Sequence, residues 1–440
     1  MSGSKREWSG RRLHFIGIGG AGMSGLALVC ARLGATVTGS DRADSSYMER
    51  LRQAGLEPVV GHDAANLPKG AEVVVSTAIG ADNPELALAR ERGVETIHRG
   101  ELLADICSRK RLIAVAGTHG KTTTAAMIVW ALREMGSDPA FFVGGEVPGL
   151  GPNGHASNAG WGEGEFVVAE ADESDGSFLR LRPEVAVVTN IEMDHHSLWG
   201  SLEELVSAFD EFLDRAERRV SPEDFGSTAP GPQTLDLAVP GAHNQLNARA
   251  ALAAVEAAGL DVDAAASALS SFPGVHRRLE LKGSRGPVHI YDDYGHHPTE
   301  VRAALSALRE LEPSRLVAVF QPHLYSRTQA LAEQFGAALA LADEAVVLDV
   351  YPAREEPVGP FAGVSGLQVA RAAAERMGGR PVWWLPRIEL ARQALVDRLD
   401  HDRELYGEGT VLVTIGAGDV FQLGDALVGE AGARAEGAAR

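Results

Sequence analysis

Short apolar runs recur along this 440-residue chain, and stretches with helical spacing separate them. From residue 12 to 106 the runs are "LHFIGI" (13–18), "ATVTGS" (35–40), "EVVVSTAI" (72–79) and "VETIH" (94–98). Each is short, rich in β-branched residues and bounded by turn formers, so each reads as a strand. "MSGLALVCARLG" (23–34) between them has the apolar period of a helix. The alternation predicts a small parallel sheet of the doubly wound type. A second block begins at Leu112 with strand, glycine loop and helix, and continues through "EFVVAEADESD" (165–175) and "EVAVVTNIEMDHH" (184–196). After "SSFPGVHRR" (270–278) come "PVHIYDDY", "RLVAVFQPH", "EAVVLDV" and "VLVTIGAG", with helical stretches such as "PTEVRAALSALREL" between them. The pattern predicts an α/β protein of three domains. These are a Rossmann-like N-terminal domain (1–108), a central P-loop ATPase-type domain (109–272) and a Rossmann-like C-terminal domain (273–440). Residues 221–233, rich in Pro, Gly and Ser, read as a surface connection. The small, polar 429–440 reads as a frayed tail.

Composition narrows the class. The chain is 45% hydrophobic and 23% charged, the profile of a globular protein, and too long for one ordinary core. A net charge of -19 argues against general nucleic-acid or membrane-surface binding, which needs a basic footprint. Phosphate ligands remain open, because a few local donors and a metal can hold them. Two cysteines, Cys30 and Cys107, make no disulfide framework and fit a reducing compartment. There is no apolar stretch of about 18 residues and no signal-peptide pattern at the start. A cytoplasmic protein, monomer or homodimer, is expected.

Two glycine loops carry the chemistry. "LIAVAGTHGKTTTAAM" (112–127) runs from an apolar strand into Gly117, Thr118, His119, Gly120, Lys121, Thr122 and Thr123. Glycines let backbone N–H groups turn toward phosphate oxygens, and the helix start adds partial positive charge. Lys121 offers a cation for the outer phosphates, and the Thr122 hydroxyl is a hard ligand suited to magnesium. Only two residues separate Gly117 from Gly120, where the usual P-loop has four. Further magnesium ligands are expected at the ends of the next strands, which offer Glu170, Asp172, Glu173 and Asp175, then Asp194, His195 and His196. The other loop, "GIGGAGMSG", holds Gly17, Gly19, Gly20 and Gly22 in a G-x-G-x-x-G pattern. Taken alone, it suggests a dinucleotide site with Asp41 as the ribose acid.

"GTHGKTTT", "EADESD", "TNIEMDHH", "PGAHNQLNA", "GVHRRLE", "DDYGHHPTE" and "FQPHLYSRT" follow one another in order. Together they resemble the Mur ligases, and "DDYGHHPTE" with "FQPHLYSRT" is most similar to the alanine-adding branch. The resemblance runs from about Leu13 to Val420. It implies ATP-dependent joining of L-alanine to the carboxylate of UDP-N-acetylmuramate in peptidoglycan synthesis, with Mg2+ as cofactor. It assigns the first loop to the pyrophosphate of the UDP-sugar, and the second to ATP. Asp41, His62, Ser76 and Thr77 become candidates for uridine or sugar contacts. Lys121 would contact the outer phosphates, while Thr122, Glu170 and His195 would serve magnesium. Asn244 and Asn247 fall at adenine positions, and Arg278 and Asp293 at ribose positions. His296 and Arg327 fall where the family lines its reaction site. The chain departs from the family in three places. The segment between "DEFLDRAERR" and "PGAHNQLN" is short, which removes much of a small antiparallel sheet. His196-Ser197 follows the "DH" pair where the family often has Asp, and Leu324 stands where relatives often have Arg.

Three rival readings remain open. A recycling ligase that attaches a murein peptide to the same UDP-sugar shares most of these motifs. An NAD(P)-dependent oxidoreductase would use the first loop and leave Lys121, Glu170 and His195 without a role. A nucleotide-sensing module would keep Lys121 and have no need of "DDYGHHPTE".

Overall fold

The computed structural model describes residues 8–193, 198–226, 234–353, 355–402 and 404–438. It divides into two compact units. One runs to Ala238 and includes Gln245–Pro273; the other comprises Val239–Asn244 and the chain from Gly274 on.

The first unit contains two sheets. The strands of the first are β1 (Arg12–Ile16), β2 (Thr36–Asp41), β3 (Val59–Val60), β4 (Glu72–Val75) and β5 (Thr96–His98). They lie in the order β3-β2-β1-β4-β5, all parallel. This is a doubly wound arrangement, with the strand order reversing beside β1. The second sheet holds β6 (Arg111–Ala116), β7 (Ala140–Val147), β8 (Ser157–Gly160), β9 (Phe166–Glu170), β10 (Val185–Val188) and β11 (Arg218–Val220). Their order is β11-β10-β6-β9-β7-β8, parallel except for the β7–β8 pair. Past their first residues, β1 and β6 are buried throughout, and β10 is wholly buried. Helices on both faces of a parallel sheet produce such unbroken apolar runs. A single apolar cluster extends from Leu13 and Phe15 through Leu112 and Val167 to Phe209.

The second unit is one sheet of β12 (Glu280–Arg285), β13 (Val288–Asp293), β14 (Arg315–Phe320), β15 (Glu344–Val347), β16 (Val382–Trp384) and β17 (Thr410–Ile415). The order is β12-β13-β17-β14-β15-β16, and only β12–β13 is antiparallel. Along β14, Leu316, Ala318 and Phe320 join the apolar cluster on one face, and Val317 and Val319 join that on the other. That is the two-residue period of a strand covered on both sides.

The strands expected from the apolar runs are present. β3, β7, β8, β11, β12 and β16 are additions; all but β7 lie at a sheet edge, and in β7 the apolar "AFFV" gives way to two glycines. Trp383 and Trp384 sit on the edge strand β16. The expected frayed tail is instead helical through Ala438, as part of the helix Phe421–Ala438, in keeping with its alanine-rich composition. Residues 227–233 of the expected surface connection lie outside the described residues. Among the described residues, no separate antiparallel sheet stands between β11 and the helix Ala242–Ala257. No described helix is long and apolar enough to cross a membrane.

Candidate active site

The first glycine loop joins β1 to the helix Ala21–Arg32, whose N-terminus has no side-chain cap. Gly17 and Ile18 donate their N–H groups to Ser40 O on β2, at 2.8 and 3.0 Å. Gly19 N–H donates to Asp41 Oδ2 at 2.8 Å, so Asp41 braces the loop. Gly20 is the residue before the helix, and Gly22 lies in its first turn. His62 follows β3, with Nδ1 2.9 Å from Ser40 Oγ. Ser76 and Thr77 follow β4 in a turn closed by Ile79 N–H on Ser76 O. All eight of these residues therefore gather at the carboxyl edge of one parallel sheet, where doubly wound folds bind their ligands.

The second loop is held from outside. Gly117 has φ 130°, and a Cβ there would lie 2.1 Å from Thr189 Oγ1. Thr118 N–H donates to Asn190 O at 3.0 Å, and His119 N–H to Asn190 Oδ1 at 2.9 Å. Asn190 Nδ2 and Thr189 Oγ1 donate back to His119 O at 2.9 and 2.6 Å. Gly120 has φ 80°, and its missing side chain makes room for Asn247, whose Oδ1 would be 2.4 Å from a Cβ. The helix Lys121–Glu134 then starts without a side-chain cap, and Thr122, Thr123 and Thr124 are buried in its first turn.

Lys121 turns back into this frame. Its Nζ donates to Gly117 O at 2.5 Å, to Thr118 O at 3.1 Å and to Glu173 at 3.0 Å. Burial works against the ammonium, but Glu173, Glu170 and Asp172 offset it and hold its pKa above the ordinary lysine value. Glu170, at the end of β9, accepts Gly144 N–H at 2.7 Å through Oε2; Oε1 has no hydrogen-bond partner among the described residues. Asp172 is half-buried, and that loss of water pushes its pKa up. Arg99, Lys121 and the Ser174 N–H outweigh that and hold it at about 2. Arg99 Nη2 donates to Asp172 at 2.6 Å and to Asp175 at 2.8 Å. His195 lies outside the described residues.

In the second unit, His296 precedes the helix Pro298–Arg309, and its backbone N–H donates to Glu300 Oε2 at 2.9 Å. Arg278 lies 3.7 Å from Glu300. The His296 and His323 ring centroids are 6.0 Å apart, and His323 stacks on Tyr351 at 5.8 Å. Arg327 Nη1 lies 3.4 Å from His323 Nδ1. Glu300 and His323 thus draw Arg278, His296 and Arg327 into one cluster. Asp293, at the end of β13, accepts N–H groups from Leu279 at 2.8 Å and Gly295 at 2.7 Å. Burial pushes its pKa up to about 6, against the pull of Arg278 and the Gly295 and Leu279 N–H groups. Leu324 has φ 69°, a left-handed conformation in a residue with a side chain, directly before the helix Tyr325–Leu339. Asn244 donates to Pro240 O at 2.7 Å. It shares the helix Ala242–Ala257 with Asn247 but belongs to the second unit, whereas Asn247 belongs to the first.

Sequence reasoning did not single out Thr189, Asn190, Arg99, His323 or Tyr351. The first two stand in the quoted "TNIE", and His323 in "FQPH", so their motifs were visible while their partners were not. Arg99 and Tyr351 carry no local signal.

Three family models match in register with this layout. The Mur ligase family catalytic domain matches residues 12–111, the Mur ligase middle domain 115–221, and the Mur ligase glutamate ligase domain 277–418. A UDP-N-acetylmuramate–L-alanine ligase of Renibacterium salmoninarum is 43% identical over 463 residues, covering 95% of each chain. The chain belongs to the Mur ligase family. A second Mur ligase of the same name, from Kineococcus radiotolerans, is 44% identical over 462 residues and 94% of each chain. The crystal structure of the UDP-N-acetylmuramate–alanine ligase of Thermotoga maritima superposes with a TM-score of 0.81 at 29% identity, covering 96% of this chain and 99% of that one.

Proposed function

We propose that this Mur ligase joins L-alanine to UDP-N-acetylmuramate at the expense of ATP, forming an amide bond in peptidoglycan synthesis. The observation that carries the reading is near-full-length identity of 43–44% to alanine-adding ligases. The two loops support it, since the reaction needs one phosphate cradle for a nucleotide sugar and another for ATP.

A carboxylate is a poor electrophile and must be activated. Its oxygen attacks the γ-phosphorus, ADP leaves, and an acyl phosphate forms. The alanine amine attacks the acyl carbon, loses a proton, and expels phosphate. The protein's part is positioning and charge neutralisation. Gly117, Thr118, His119, Gly120, Lys121, Thr122 and Thr123 cradle ATP. Asn244 and Asn247 take its adenine, and Arg278 and Asp293 its ribose. Lys121, His296 and Arg327 act on the reacting groups. The first loop, with Asp41, His62, Ser76 and Thr77, takes the UDP-sugar. Residues 1–108, 109–272 and 273–440 divide the UDP-sugar, ATP and the amino acid among them.

Magnesium fits the donors present. Glu170 keeps Oε1 uncommitted at the end of β9, and carboxylate and hydroxyl oxygens are the hard ligands Mg2+ prefers. Thr122, Glu170 and His195 would hold it directly or through waters, and it would neutralise phosphoryl charge. Two free, buried cysteines fit a cytoplasmic protein.

Phosphate release should require ATP, Mg2+, UDP-N-acetylmuramate and L-alanine together, and should stop on addition of EDTA. Equal release without the UDP-sugar would sink the ligase reading. A preference for murein tripeptide over alanine would replace it with the recycling reaction.

A further inference from the structure

In the first unit, a cavity of about 180 Å3 lies between the helix behind the first glycine loop and the acidic end of β9. Gly22, Gly25, Asn158, Glu170, Asp172 and Arg99 are among its lining residues. It is smaller than the roughly 300–1,000 Å3 of a pocket that encloses a whole small ligand, and so has room for one branch of a larger one. Glu170 and Asp172 repel an anion approaching through it. Arg99 is the one cation among the lining residues.

The Arg99 guanidinium is used on one side only. Nη2 donates to both Asp172 and Asp175, at 2.6 and 2.8 Å. Nη1 makes no hydrogen bond among the described residues and points beside Gly22, where a Cβ would stand 3.5 Å from it. A purely structural arginine–carboxylate pair is commonly bidentate, two nitrogens to one carboxylate. Here two carboxylates share a single nitrogen, and the other edge of the fork faces the first glycine loop.

We propose that Arg99 Nη1 binds an anionic oxygen of the nucleotide sugar where that ligand passes from the first glycine loop toward Glu170. Asp172 and Asp175 anchor the guanidinium through Nη2 and keep the other edge aimed. The oxygen comes from the pyrophosphate or from the lactyl carboxylate. The inference rests on the ligase reading above.

Calorimetric titration with a non-hydrolysable ATP analogue and Mg2+ present tests it. The ligands are UDP-N-acetylmuramate and UDP-N-acetylglucosamine, which has the same pyrophosphate and no lactyl carboxylate. The proteins are wild type, Arg99→Lys, and the double variant Arg99→Gln with Asp175→Asn. Lysine keeps a cation beside Asp172 and Asp175 but has no second nitrogen to present, so folding is not at stake. The expected result is a roughly tenfold to hundredfold loss of UDP-N-acetylmuramate affinity in both variants, the scale of a lost charged hydrogen bond. Affinity for the ATP analogue should stay within about twofold. A matching loss for UDP-N-acetylglucosamine assigns the oxygen to the pyrophosphate; a loss confined to the muramate assigns it to the carboxylate. Unchanged UDP-N-acetylmuramate affinity in Arg99→Lys, or an equal loss of nucleotide affinity, overturns the proposal. Wild-type protein that binds the sugar but releases no phosphate with alanine would sink the ligase reading and leave the Arg99 result standing.

Discussion

Lys121 enters this fold as a buried charge. Its side chain is 14% exposed and its partner Glu173 is 1% exposed. A lysine at the tip of a glycine loop reads from the sequence as a mobile cation whose loss costs the fold little. The geometry gives it a second role, as counter-charge to Glu173. Lys121→Ala should therefore lose activity and stability together. Loss of one transition-state charge contact costs about 3–4 kcal/mol, or roughly two to three powers of ten in rate. Taking the counter-charge away from buried Glu173 costs about 3–5 kcal/mol of stability. Adding Glu173→Gln to Lys121→Ala should restore most of the melting temperature and none of the turnover. If the double variant melts as low as Lys121→Ala alone, the pair does not explain the stability loss. At this scale the sequence announces groups better than partners. Lys121 and Glu170 stand in recognisable motifs. That Glu173 pairs with Lys121, or that Thr189 and Asn190 clamp Gly117–His119, depends on β9 and β10 flanking β6, which no local pattern encodes.

Elements place these residues because parallel strands deliver their carboxyl ends to one edge. The apolar runs of β1, β6, β9 and β10 were legible, being buried on both faces. β3, β8, β11, β12 and β16 were not, because a short edge strand carries little apolar signal; β7 was not, because its apolar start is only four residues long before two glycines. The first sheet also has a polar clasp that periodicity hides. Glu85, on the helix Pro84–Glu91, is fully buried and meets His14 of β1 at 2.8 Å and Ser40 of β2 at 2.7 Å. Asn66 Nδ2 also donates to it, at 3.0 Å. Burial pushes the carboxyl pKa up, but these hydrogen bonds outweigh it and hold the value at about 2. Because the folded value lies below the unfolded one, the stabilisation is complete above about pH 4.5 and is lost as pH falls through about 2. It amounts to about 3 kcal/mol at neutral pH. Glu85→Gln should lower stability at pH 7 by about that amount, and its deficit should narrow by about 1 kcal/mol by pH 3.5. Amide hydrogen exchange in β1 and β2 at both pH values measures this. A deficit independent of pH would mean that shape, not charge, makes the clasp.

On the scale of the whole molecule, each unit has its own core, and one unfolding free energy does not describe a chain of this kind. The second unit is tied by a buried carboxylate on β15. Glu344 accepts from Arg315 at 2.7 Å, Arg398 at 2.8 Å, Trp383 Nε1 at 2.9 Å and Tyr406 Oη at 2.7 Å. Arg398 also lies over the rings of Trp383 and Tyr406, at 4.8 and 5.3 Å from their centroids. The knot joins β14, β15, β16, the helix Ile388–His401 and the segment leading to β17, so removing its acceptor should loosen the second unit as a body. Glu344→Ala leaves four donors without their shared acceptor, two of them charged, at a cost of about 3–5 kcal/mol. In the proposed function the UDP-sugar binds the first unit, so its binding should not change. Scanning calorimetry should show a transition lowered in Glu344→Ala, and saturating UDP-N-acetylmuramate should fail to recover it. Ligand stabilisation follows RT ln(1 + [L]/Kd) only for the part of the protein that binds. Turnover at 25 °C should stay near wild type and then fall at a lower temperature. Recovery of the lowered transition by UDP-N-acetylmuramate would mean that the two units unfold as one, and the knot would then stabilise the chain as a whole.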